Sequence, residues 1–62
     1  MTTFKEFMDN VWNATHINGY GEVRSKRVMY GIFPDIQFIT WNDDGPYAIS
    51  ANWMWENGIT FK

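Results

Sequence analysis

No cysteine occurs in this chain, and there is a single histidine. Disulfide staples, zinc-finger and iron–sulfur frameworks and a thiolate nucleophile are thereby excluded, because each depends on thiols or on several imidazoles. Long apolar runs are missing too. No stretch approaches the ~20 consecutive apolar residues that a helix needs to cross a bilayer. The first residues, Met1-Thr2-Thr3-Phe4-Lys5-Glu6, lack the basic start and apolar stretch of a secretory signal, which together with the absent thiols predicts a cytoplasmic protein. Without such a signal, Asn13-Ala14-Thr15 matches a glycosylation acceptor in spacing only. Charge of one sign is also scarce. Five Lys and Arg against seven Asp and Glu leave a net charge of −2. That argues against a partner held mainly through its phosphates and is too mild for a mimic of nucleic acid.

Aromatic side chains are what the chain has in surplus: five Phe, four Trp and three Tyr in 62 residues. A domain of this length buries only ~60% of the surface its unfolded chain exposes, so twelve such rings exceed what one small core absorbs. Some of them are expected to face a partner. Length allows one domain, 1–62, whose stability must come from its core, an oligomer or a bound protein.

Thr3 and Glu6 have the spacing of a capping box, and Phe4, Phe7, Met8, Val11 and Trp12 follow at i, i+3, i+4, i+7 and i+8. This predicts a helix over 4–15, with His16 beside its C-terminal dipole and Asn18-Gly19 and Gly21 marking its end. From residue 22 the period changes. The segment 22–30, with Arg24-Ser25-Lys26-Arg27 at its centre, reads as an edge strand or a short hairpin turning at Ser25-Lys26, with a second helix as the alternative. Gly31 and Pro34 break it. Residues 35–41 read as a strand, 42–46 as a turn and 47–56 as a second strand. Asn57-Gly58 then reads as a two-residue hairpin turn that returns the chain through Ile59-Thr60-Phe61. The predicted fold class is α+β: an N-terminal amphipathic helix packed on a three- to four-stranded antiparallel meander.

Alternation assigns the faces. A four-residue loop over 42–45 sets Trp41 opposite Pro46 and Phe38 opposite Ile49. One face then collects Ile36, Phe38, Tyr47, Ile49, Ala51, Trp53 and Trp55 and should receive the helix. The other collects Gln37, Ile39, Trp41, Ala48, Ser50, Asn52 and Met54, joined by Ile59 and Phe61 if the last turn is tight. Large apolar groups among polar ones on a face that one helix cannot cover have the composition of an interaction surface. The competing expectation, weighted equally, is that residues 22–33 fold over that face and bury it.

Catalytic patterns are weak. No serine elbow or glycine-rich phosphate loop is present, Glu6 and Asp9 lie on a solvated helix face, and Asp43-Asp44 reads as an acidic turn rather than a cation site. No enzyme activity, cofactor or metal is expected. The expected function is that of a stand-alone regulator or inhibitor, in the style of phage or mobile-element products, binding a host protein through the exposed aromatic sheet face or a strand edge. The expected contact residues are Trp41, Ile39, Met54, Phe61, Arg24 and Arg27. Homodimerisation through the same face is the nearest competitor within that class. The alternative is weak binding of single-stranded nucleic acid by Arg24, Lys26 and Arg27 with aromatic stacking.

Overall fold

The computed structural model describes residues 2–62. Helix α1, Phe4–Trp12, begins where the sequence places it, with the Thr3 hydroxyl accepting from the Glu6 amide at 3.1 Å. It stops three residues earlier than expected. Asn13 caps it, its amide donating to the Asn10 carbonyl at 3.2 Å and the Ala14 amide to the Val11 carbonyl at 3.0 Å, while Ala14 turns into the core and the chain enters β1, His16–Ile17. His16 is therefore a strand residue opposite Glu22 and not the cation at the helix end.

Strand β2, Gly21–Met29, is continuous, neither a hairpin at Ser25-Lys26 nor a helix. Its register against β3, Asp35–Asn42, shifts between Val23 and Ser25, leaving Arg24 as the extra residue of a bulge. Strand β4, Gly45–Ser50, returns on β3 with Trp41 opposite Pro46 and Phe38 opposite Ile49. Asn42 opposite Gly45 is the last pair of the ladder, so the turn itself is Asp43-Asp44, tightened by the Asp44 amide donating to Asn42 Oδ1 at 2.8 Å. The four strands form one antiparallel sheet in the order β1-β2-β3-β4, with α1 packed on it: a small α+β fold.

The expected second strand over 47–56 is overturned at its midpoint. After Ser50 the chain becomes helix α2, Ala51–Glu56. Ser50 Oγ accepts from the Trp53 amide at 3.0 Å, and Asp35 Oδ1 accepts from the Asn52 amide at 3.1 Å, so two of the orphan donors of the first turn have partners. A six-residue helix is not stable alone, and burial of Ala51 and Met54 at i and i+3 supplies the tertiary support. Asn57-Gly58 accordingly ends this helix, with Asn57 as its cap and Gly58 at φ +64°, and makes no hairpin. The remaining residues run beside β1. Lys62 exchanges backbone hydrogen bonds with Thr15 (2.7 Å) and His16 (2.9 Å), and Phe61 bridges to Ile17.

Both helices and the C-terminal segment lie against the inner face of the sheet. The core there is Phe7, Val11, Ala14, Ile17, Phe38, Ile49, Ala51 and Met54, with Thr40 buried among them and bonded through Oγ1 to the Tyr47 carbonyl at 3.3 Å. Phe7 links α1 to the rest, its ring 5.1 Å from Trp55 and 5.7 Å from Phe61 between centroids.

Candidate functional site: an outer sheet face and an apolar hairpin tip

Of the twelve aromatic residues only Phe7 and Phe38 are buried. The surplus is therefore a surface property. Phe4, Trp12, Tyr47, Trp53 and Trp55, which the alternation and the helix stripe assign to the core, stay partly exposed. For Trp53 and Trp55 the reason is the strand-to-helix switch at residue 51. At helical period their side chains no longer alternate with Asn52 and Met54, and it is Met54 that faces inward.

Two of the six expected contact residues are thus misplaced by the sequence reading. Met54 has no exposed surface, being on the inner side of α2 rather than on the outer sheet face. Phe61, beside β1 rather than on a third hairpin strand, packs half-buried on Phe7. The other four share one surface. On β3 Ile36, Phe38 and Thr40 point inward, so Gln37, Ile39 and Trp41 point outward; Arg27 is opposite Gln37 on β2 and lies on that same face. The bulge turns Arg24 toward Trp41, its guanidinium carbon 5.1 Å from the ring centroid. Glu22 Oε1 holds Arg24 Nε at 3.1 Å. Arg24 is thereby fixed over an indole before any partner arrives, which lowers the ordering cost of contact. Residues 22–33 do not cover this face. They continue the sheet beyond β3 and leave Trp41 39% exposed.

The third cation of the basic cluster points elsewhere. Lys26 is opposite Phe38 on the inner face, and its Nζ donates to the Trp12 carbonyl oxygen at 2.6 Å. Arg24 and Arg27 are left as the basic pair of the outer face, too few for strong counterion release.

The most exposed apolar side chains lie outside the six expected contact residues. Tyr30, Ile32 and Phe33, in the loop between β2 and β3, are 89%, 91% and 85% exposed. Met29 and Val28 lead up to them, each over 40% exposed. A signal for this tip was present in the breakers Gly31 and Pro34, since apolar residues between breakers have no strand neighbours to cover them.

A cleft of about 370 Å³ opens between α1, α2 and the C-terminal segment, lined in part by Phe7, Trp55, Ile59 and Phe61, with no ionisable side chain in its wall. Among the described residues no group of three or more His, Asp or Glu is placed to hold a metal ion, and no helix is long and apolar enough to cross a membrane. Comparison of the chain with protein-family models, with curated proteins and with solved structures gives no match in any of the three.

Proposed function

We propose that this protein is a non-enzymatic binding module whose partner is another protein, engaged through the outer sheet face and the β2–β3 hairpin tip. The observation that carries the reading is the near-complete exposure of Tyr30, Ile32 and Phe33 at the end of a face that also presents Ile39, Trp41 and Arg24. Aromatic residues and arginine supply most binding hot spots, and a fixed Arg–Trp pair at one end of the β2–β3 ladder with an apolar projection at the other offers two anchors that a partner can desolvate. Such a module acts by occupancy, as a regulator or inhibitor of the protein it covers.

The test compares the parent with Trp41→Ala and with Ile32→Ser/Phe33→Ser in capture from lysate of the source cell. Both variants should melt within a few degrees of the parent, since neither removes a buried group, and both should lose the captured protein. Full capture by both variants would remove these surfaces from the reading.

A further inference from the structure

We propose that the outer edge of β2 over residues 24–29 is a strand-addition site for an extended segment of the partner. That segment is acidic where it passes Arg24 and Arg27 and apolar where it passes Val28, Met29 and the hairpin tip. The inference rests on the protein-binding reading above and gives the partner its chemistry.

The edge is open because β1 is only two residues long. It pairs with Gly21 and Glu22, and the Thr15 carbonyl accepts from the Val23 amide at 2.8 Å. Beyond Val23, no backbone group of residues 24–29 has a hydrogen-bond partner outside β2 and β3 among the described residues. Alternate amides and carbonyls of a strand point to opposite neighbours, so this stretch presents a row of unpaired groups. The other edge of the sheet is not equivalent. Strand β4 carries Pro46, which has no amide to donate, and it is cut short by α2 at Ala51.

Charge decides what can add. A second copy pairing antiparallel through this edge, in registers centred on Lys26 or Arg27, sets Lys26 against Lys26 or Arg27 against Arg27. Directly opposed like charges destabilise a pair of strands, so the edge resists self-association. The same cations favour a carboxylate-bearing strand. Arg27 makes no ion pair among the described residues, and Arg24 has only the exposed Glu22 as an ion-pair partner. Past Arg27 the edge becomes Val28 and Met29 and then the exposed Tyr30, Ile32 and Phe33. An antiparallel occupant therefore has apolar residues in its N-terminal half and acids in its C-terminal half. Main-chain bonds supply affinity, and the two halves fix register.

The experiment is selection of a phage-displayed random dodecapeptide library on the intact protein. The selected peptides are then titrated into the ¹⁵N-labelled parent and into Arg27→Glu, whose fold is checked by its melt. Peptides with two or more Asp or Glu after an apolar half are expected, weakened at least tenfold by Arg27→Glu and by raised salt. Backbone amides of residues 24–29 should shift and gain exchange protection. Selected peptides without acids, equal binding by Arg27→Glu, or shifts confined to Ile39 and Trp41 would each overturn the edge assignment. So would binding of phosphatidylserine vesicles, with hairpin-tip amides shifting, in place of peptides. If no peptide is selected while Trp41-dependent capture from lysate persists, the edge assignment fails and the protein-binding reading stands; loss of both removes both.

Discussion

Lys26 on β2 supplies the positive charge that the C-terminus of α1 lacks. Its Nζ donates to the Trp12 carbonyl oxygen at 2.6 Å and lies 4.8 Å from the Trp12 ring centroid, while the last turn of α1 contains no basic residue of its own. One ammonium thus answers a helix dipole and an indole face at once, and it ties the helix end to the sheet. Replacing Lys26 with Met keeps the stem and removes the charge. The expected cost is about 1 kcal/mol, because both interactions are at a partly hydrated surface. In a domain of this size that lowers the melting temperature by roughly 4–8 °C. The parent should lose part of this difference in high salt, and the variant should not.

The Ser50 and Asp35 caps determine where β4 becomes α2. Ser50→Ala removes the acceptor for the Trp53 amide and should cost about 1 kcal/mol, with Asp at that position restoring most of it. Asp35 Oδ1 accepts from the Ile36 amide at 2.7 Å as well as from Asn52, so Asp35→Ala should cost at least as much and loosen the base of the hairpin too. Thermal melts give the stabilities. Amide exchange over residues 51–56 shows whether the helix frays before the sheet.

Met54 and Trp53 are adjacent in the chain and differ sharply in burial, fully enclosed against 42% exposed. Met54→Ala should cost about 2–5 kcal/mol through lost transfer energy and the cavity left behind, a large part of this domain's total stability. Trp53→Ala, which gives up an edge contact with Tyr20 at 6.0 Å between centroids, should cost about 1 kcal/mol. Denaturant titration should rank the two in that order; the reverse order would mean that 51–56 is a strand.

Gly21 lies tight against the backbone of Trp41. Its φ is +113°, and a Cβ added there would fall on the Trp41 carbonyl group. Gly21→Ala therefore combines a disfavoured backbone conformation with a backbone collision and should abolish cooperative folding or shift the end of the β2–β3 ladder. Gly19→Ala, at φ +87° with open space around it, should carry only the conformational cost of about 1–2 kcal/mol. Far-UV spectra and melts of the two variants separate strain from collision.

Legibility in the sequence followed the range of the interactions concerned. The Thr3 cap and the apolar spacing from Phe4 to Trp12 are local, and the helix start they predict is the one observed. The pairing of Phe38 with Ile49 was equally readable, because a tight acidic turn leaves few registers. The segment 47–56 reads as a strand because Tyr47, Ile49, Ala51, Trp53 and Trp55 alternate like one. Ser50 as a cap, Ala51, Met54 and Trp55 at i, i+3 and i+4, and Asn57-Gly58 as a terminator are an equally good helical signature. Asp35 supplies the second cap from another element, and no local pattern contains it.

The candidate surface divides the same way. Strand alternation places Ile39 and Trp41 on one face, and the bulge in β2 brings Arg24 to Trp41. Met54 and Phe61 leave that face with the helix that replaces the strand, and the tip at Tyr30, Ile32 and Phe33 lies outside the expected contacts although Gly31 and Pro34 mark its loop.

By itself the amino-acid sequence determined the α+β class, the leading helix, the central strand pairing and an aromatic surplus beyond what a 62-residue core can hide, since these follow from periodicity, capping and the ratio of surface to volume. Only the tertiary structure decided which rings are left outside, that Lys26 turns inward while Arg24 and Arg27 stay out, and that the edge of β2 lies open. Those outcomes depend on contacts between residues distant in the chain, where burial of Met54 and a cap from Asp35 outweigh the local preference of the segment they stabilise.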